Sequence, residues 1–331
     1  MKKLICLMYF CFMSEAYAVT NIMKIESSVY NKEKLIQIEL PESYASSGER
    51  RYPVMYVLHS QWDLSLVTAI AETMSAEIPE FIVVGVEGEG SELHPVNGKK
   101  KESGHEFRRF VENELMVHLK RKFRVAHYNV LVGHSNAGRF ALEQFLSNSK
   151  LYEDYFVFSP SLEDGYLVDL AKKSKGINGY AFLSIANEGE HMQQPFEQLT
   201  TILKNKPELT FESRKYPDYS HQSSKTVALV NALQSRFKNW VPSDQVKISG
   251  FDKLMKHYQA LEMEFGFKAY PDMNSLIRIV GYSAINGKEK EVGKFSQFML
   301  NHYPSASDSL LKLRDYLSAE GFNEAAKLIV L

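Results

Sequence analysis

Five apolar runs recur along the first part of this chain: Pro53-Val54-Met55-Tyr56-Val57-Leu58, Phe81-Ile82-Val83-Val84-Gly85-Val86, Asn129-Val130-Leu131-Val132, Tyr155-Phe156-Val157-Phe158 and Tyr180-Ala181-Phe182-Leu183-Ser184-Ile185. None alternates with polar residues, so each fits a strand buried on both faces, as in the interior of a parallel sheet. Residues 64–76 and 105–123 lie between them with helical spacing, and Phe107, Phe110, Val111, Leu115, Leu119 and Phe123 form one stripe of the second segment. Residues 34–40 alternate polar and apolar as a half-buried strand does, Pro41 ends that run, and Ser46-Ser47-Gly48 marks a loop. A last strand is expected from Leu209 to Lys215 and a helix over 225–237. Strand and helix alternate throughout, which predicts an α/β fold with a doubly wound, mostly parallel sheet.

The character changes after about Trp240. Pro242-Ser243-Asp244 reads as a break, and no strand pattern follows. Tyr282 recurs as Tyr316, Gly287 as Gly321, Val292 as Ala326 and Phe295 as Ile329, a spacing of 34 residues, with Pro271 and Pro304 as breaks. That period belongs to the helix-turn-helix unit of tetratricopeptide repeats. Residues 241–331 are therefore expected to form a small all-helical, tetratricopeptide-like C-terminal region, either packed on the rest of the chain or holding a protein partner. At the other end, Lys2 and Lys3, the apolar run Leu4 to Met13 and Ala16-Tyr17-Ala18 read as the three regions of a signal peptide. The expected organisation is a signal peptide over 1–18, an α/β domain over 19–240 and the helical region over 241–331. The apolar run is short for a membrane span, so none is expected after cleavage.

Both cysteines, Cys6 and Cys11, lie inside the signal segment, so the mature chain would carry no disulfide, thiol nucleophile or thiolate metal site. A cysteine-free exported protein suits the periplasm or the exterior of a bacterium. The formal net charge of -1 leaves no electrostatic footprint for nucleic acid, and Lys99-Lys100-Lys101 reads as a solvated loop. No H-E-x-x-H occurs, and Gly85, Gly88 and Gly90 do not space as G-x-G-x-x-G, so neither a metal nor another cofactor is expected.

The chemistry lies at Gly133-His134-Ser135-Asn136-Ala137, which follows an apolar run and precedes the helix-like Arg139 to Leu146. Strand, sharp turn and helix around one serine make a nucleophile elbow, here G-x-S-x-A rather than G-x-S-x-G. A serine hydroxyl needs a base within hydrogen-bond reach, and the elbow's partners follow in the order serine, acid, histidine, each on a loop after a strand. Downstream, Asn187-Glu188-Gly189-Glu190-His191 offers two carboxylates after a strand, with Glu190 preferred and Glu188 the alternative. After one more strand, Tyr216-Pro217-Asp218-Tyr219-Ser220-His221 supplies the base, His221. Oxyanion donors would be the backbone N–H of Asn136 and one from the loop His59-Ser60-Gln61-Trp62. His59 and His134 are expected to pack or line the pocket, and His191 to be a loop residue.

These segments, together with Phe107 to Leu115 and Phe158-Ser159-Pro160-Ser161-Leu162, resemble the esterase D-like branch of the α/β-hydrolases over roughly residues 20–238. That branch holds siderophore esterases, S-formylglutathione hydrolases, carbohydrate esterases and mycolyltransferases. The resemblance implies an exported serine carboxylic-ester hydrolase working through an acyl-enzyme on a small-molecule or glycan-linked ester. In that family the acid commonly stands three residues after a glycine closing its strand. Asn187 occupies the glycine position, so the rule selects Glu190. The family's oxyanion residue maps onto Gln61. The chain departs in having His59-Ser60 for Asp-Gly, Ala137 for glycine, and no pocket Asn or Arg over Glu87 to Pro95, so siderophore or sugar specificity does not carry over. Two further readings stay open: acyl transfer on the same fold, and a weakly catalytic binding protein using the helical region for a partner.

Overall fold

The structure, a computed structural model, describes residues 20–93, 102–147, 150–207 and 209–330. The signal segment and the Lys99-Lys100-Lys101 run lie outside the described residues. The chain divides into two compact units, one of Val19–Pro41 with Arg51–Lys238, the other containing Glu42–Arg50 with Asn239–Leu331.

The first unit is built on β1 (Thr20–Ser27), β2 (Lys32–Glu39), β3 (Tyr52–Leu58), β4 (Ile82–Val86), β5 (Val125–His134), β6 (Asp154–Phe158), β7 (Tyr180–Ala186) and β8 (Thr210–Tyr216). They form one sheet in the order β1-β2-β4-β3-β5-β6-β7-β8. β1, β2 and β4 pair antiparallel, and every pairing from β4 through β8 is parallel. The unbroken apolar runs become the inner strands: every residue of β3, β4, β6 and β7 is buried. The hairpin alternates instead, burying Met23, Ile25, Ile36 and Ile38 while Ile22 and Leu35 face outward. The sequence reading did not include β1, whose period-2 pattern is carried by only two buried hydrophobic positions.

Helices α1 (Ser60–Thr73), α2 (Gly90–Leu93), α3 (Glu102–Phe110), α4 (Met116–Lys122), α5 (Asn136–Leu146), α6 (Tyr166–Lys173), α7 (Glu190–Lys204) and α8 (Ser224–Arg236) connect the strands. The stripe expected to make one helix over 105–123 is interrupted by a π-helical turn at Val111–Leu115. Glu114 in that turn accepts bonds from the backbone amides of Ser28 and Val29, which ties it to the β1–β2 turn. From β3 the chain winds through α1 to β4, then returns to place β5 on the other side of β3 and continues outward to β8. This reversal opens a crevice at the carboxyl ends of β3 and β5, where ligands of doubly wound sheets bind.

The second unit is helical: α9 (Asp244–Ile248), α10 (Phe251–Phe265), α11 (Met273–Ile285), α12 (Glu289–His302), α13 (Ala306–Ala319) and α14 (Asn323–Lys327). Gly287 follows α11 at φ 65° and Gly321 follows α13 at φ 82°, so the glycines paired at 34 residues both take the left-handed conformation that ends a helix. Val292 and Phe295, and their counterparts Ala326 and Ile329, are all buried. Among the described residues, no helix is long and apolar enough to cross a membrane.

Candidate active site

β5 delivers Ser135 to the crevice. The serine stands between β5 and α5 at φ 59° and ψ -123°, a backbone that L side chains rarely adopt and that persists only where the surroundings fix it. They do so by several bonds. The Ser135 amide donates to the Phe158 carbonyl at 3.0 Å, and the Ser135 carbonyl accepts from Arg139 at 2.9 Å and Ser161 at 3.3 Å. A Cβ on Gly133 would lie 2.3 Å from the Ala137 carbonyl oxygen, so the first glycine of the motif is sterically required. Ala137 is itself fully buried, and it is Gly138 whose missing side chain makes room for the backbone of Gly133, Phe158 and Pro160.

The segment after β6 cradles this turn. Arg139 on α5 is fully buried and forms a two-pronged ion pair with Asp164 at 2.9 and 2.7 Å, with a further bond to the Ser161 carbonyl. A buried guanidinium needs this degree of pairing to offset its desolvation. Ser161 Oγ donates to Asn136 Oδ1 at 2.7 Å, and Ser159, at φ 38°, accepts from the Ala186 amide. Sequence reasoning placed Arg139 at the start of a helix without assigning it a partner. A charged residue inside an otherwise apolar helix face was the available signal.

The loops after β7 and β8 meet beside the elbow. The Asn187 amide donates to the Tyr219 carbonyl at 3.0 Å, which joins the two loops. His221 then sets Nδ1 2.8 Å from Glu188 Oε1, with the carboxylate side chain only 10 % exposed and the imidazole 36 %. A carboxylate oxygen accepts, so Nδ1 is the donor of this bond. Glu188, the alternative to the preferred Glu190, is the carboxylate that meets the histidine here. Glu190 is exposed and opens α7, where a carboxylate suits the positive end of the helix. α7 starts two residues after Glu188, so the carboxylate that faces His221 lies before the helix and not in its first turn.

Gln61 and Asn136 are the second residue of α1 and the first of α5. Backbone amides in a helix's first turn have no acceptor in their own helix, and the helix dipole there favours negative charge. Because β3 and β5 are parallel neighbours paired through Val57 and Val132, both helix starts rise from the same edge of the sheet. Gln61 Nε2 also bonds the Gly88 carbonyl at 3.1 Å, which draws the loop after β4 alongside. His59 takes the left-handed conformation at φ 57° at the turn into α1, where the chain has His59-Ser60. Its ring is buried edge-on to the exposed Trp62 at 4.9 Å, and burial lowers its pKa while Asp63 opposes.

His134, expected to pack or line the pocket, is buried and touches His221. Its Nε2 lies 2.9 Å from the His221 carbonyl oxygen, and the rings stand 4.4 Å apart. Burial, then the adjacent His221, pushes its pKa down to about 4, so it is neutral around pH 7.

The profile of the Putative esterase family matches residues 27–245. No curated protein matches the chain. Among solved structures, an IroE-like serine hydrolase from Shewanella oneidensis superposes with a TM-score of 0.71 at 22% identity, over 85% of this chain and 100% of the other. An uncharacterised protein from Capnocytophaga ochracea reaches 0.64 at 18% identity, over 94% and 92%. An enterobactin and salmochelin hydrolase, IroE, reaches 0.53 at 18% identity, over 67% and 96%.

Proposed function

The chain belongs to the Putative esterase family and is a carboxylic ester hydrolase, and on that premise we propose that it works through Ser135, His221 and Glu188 by way of an acyl-enzyme. The observation that carries this reading is the 2.8 Å bond from His221 Nδ1–H to Glu188, which leaves Nε2 as the nitrogen free to serve as base, on the loop beside a serine held at positive φ. In the first half-reaction His221 Nε2 takes the Ser135 hydroxyl proton as Oγ attacks the ester carbonyl. The tetrahedral oxyanion is received by the amides of Gln61 and Asn136, each such donor being worth roughly 3 kcal/mol of transition-state stabilisation. Collapse breaks the carbon–oxygen bond, and the imidazolium returns its proton to the departing alkoxide, which leaves as the alcohol. Water then attacks the acyl carbonyl as the same Nε2 takes its proton, and collapse breaks the bond to Oγ, which recovers the proton from the imidazolium, so that the acid leaves and Ser135 is free again. Glu188 keeps the imidazole in one tautomer and stabilises its cation. No cofactor takes part in this scheme, and the ester reaches the space between Gln61, Asn136 and His221.

The mature protein should hydrolyse a short-chain p-nitrophenyl ester and take up a fluorophosphonate probe on Ser135. A wild-type protein that neither turns over nor labels would defeat the reading. Full turnover in Ser135→Ala would remove the nucleophile assignment alone. Export is part of the proposal and rests on Lys2, Lys3, the apolar run and Ala16-Tyr17-Ala18. N-terminal sequencing of protein recovered outside the cytoplasm should begin at Val19, and an intact Met1 would refute it.

A further inference from the structure

The mechanism above uses His221 but gives no task to the imidazole that touches it. His134 ends β5 and immediately precedes Ser135. A carbonyl can only accept, so the 2.9 Å contact with the His221 oxygen fixes the His134 proton on Nε2 and makes that ring the donor. The same carbonyl receives the Ser224 hydroxyl at 3.1 Å. Away from His221, His134 faces a small cavity walled by Val57, Val67, Val132 and Leu229, with the Lys225–Asp63 ion pair at its side. The ring is therefore held in a slot between the base and an apolar wall. The charged and titratable groups around it are His221 and Glu188 from the loops after β8 and β7, Lys225 from α8 and Asp63 from α1.

We propose that His134 is a positioning residue: its Nε2–H bond to the His221 carbonyl holds the base's loop in register with the strand that carries Ser135. The inference rests on the reading of Ser135, His221 and Glu188 as the reacting set. Residues 217–223 form a turn-rich loop, bonded within itself through Ser220 and Ser223 and to the acid's loop through Tyr219. Those bonds fix the loop to β7. The His134 bond fixes it to β5, where the nucleophile is. A displacement of about 1 Å in such a pair costs up to roughly 100-fold in rate. The neutrality of His134 serves this role, because a cation 4.4 Å from His221 would oppose the imidazolium that forms in the transition state.

The test compares His134→Leu, His134→Gln and His134→Asn in the full chain with a p-nitrophenyl ester. Leu removes the donor, Gln returns an amide N–H at similar reach, and Asn carries the same amide on a shorter stem. His134→Leu should lower kcat roughly 10- to 100-fold with KM within about twofold. It should also broaden the downfield proton resonance of the His221–Glu188 bond. His134→Gln should recover most of the rate and the resonance. A folded His134→Leu protein with wild-type kcat and resonance would overturn the proposal, as would a folded His134→Gln protein as slow as His134→Leu. Should the leucine variant fail to fold, Gln and Asn decide: a fast Gln and a slow Asn protein support positioning, and equal rates refute it. His221→Ala separates the two readings. If it retains turnover, the assignment of the base falls and this inference with it. If it is inactive while His134→Leu behaves as wild type, only the positioning role falls.

Discussion

At the scale of single residues, the site turns on which of two carboxylates two positions apart meets the imidazole. Glu188 is nearly enclosed and bonded to His221, whereas Glu190 points into solvent at the start of α7. Glu188→Gln should therefore lower kcat by roughly 10³- to 10⁴-fold, since the amide no longer holds the correct tautomer, while Glu190→Gln stays within about twofold. Steady-state kinetics on one ester ranks the two directly, and the opposite order would return the acid to Glu190. Gly133 offers a second contrast. An added Cβ meets Ala137 O at 2.3 Å, Ala137 C at 2.5 Å and Gly138 N at 2.8 Å, all backbone, so no rotamer relieves it. Gly133→Ala should lose fluorophosphonate labelling and cost about 2–3 kcal/mol in urea unfolding. Ser135 and His221 stood out as candidates in the sequence because a sharp strand-to-helix turn and a polar loop after a strand leave local signatures. Between Glu188 and Glu190 the local pattern is less decisive, because the choice depends on where β7 ends and α7 begins, and element ends are soft by a residue or two. The partnership of His134 with the His221 carbonyl had no sequence signal at all: 87 residues separate them.

At the scale of elements, the buried strands were legible because burial on both faces removes every polar residue from the run. The hairpin strand β1 was not, since its alternation is short. The π turn at Val111–Leu115 was hidden because one extra residue barely disturbs an apolar stripe. In the second unit, the glycines paired at 34 residues stand just past two helix ends, and they make a prediction. Gly287 and Gly321 have φ of 65° and 82° with open space around them, so an added methyl is penalised by backbone strain alone. Gly293 is exposed inside α12, also with open space, but at an ordinary helical φ. Gly321→Ala should destabilise by about 1 kcal/mol, as a β-carbon does in the left-handed region. Gly293→Ala should stabilise by about 1 kcal/mol through helix propensity. Thermal melting of the two variants against wild type should move the midpoint in opposite directions, and a shift of the same sign in both would contradict the assignment of these glycines.

At the scale of the whole molecule, the sequence indicated a break near Trp240, and the units divide at Lys238 and Asn239. It did not indicate that Glu42–Arg50 groups with the helices, because contacts such as Arg50 over the Tyr270 ring at 5.4 Å join residues far apart in the chain. Burial also gives the folded chain a distinctive response to acid. His134 has its pKa lowered to about 4 in the folded state from an ordinary 6.5. Between those values the unfolded chain binds a proton that the folded chain refuses, so this group withdraws stability as pH falls and withdraws none above 6.5. The full effect, reached below about pH 4, is about 3 kcal/mol. Asp154 works in the other direction. It is fully buried, and burial raises its pKa even though Arg236 beside it opposes, so the folded state takes up its proton first and gains stability on acidification. The wild-type curve thus contains these two opposing slopes over one pH range. His134→Gln removes one of them and leaves Asp154 untouched. Relative to wild type, the variant should gain stability steadily as pH falls from 7 to 4, by up to about 3 kcal/mol. Urea unfolding of both proteins at pH 7, 5.5 and 4 reads that difference. A gap between the two curves that stays constant with pH would mean that His134 is protonated as readily in the folded protein as in the unfolded one.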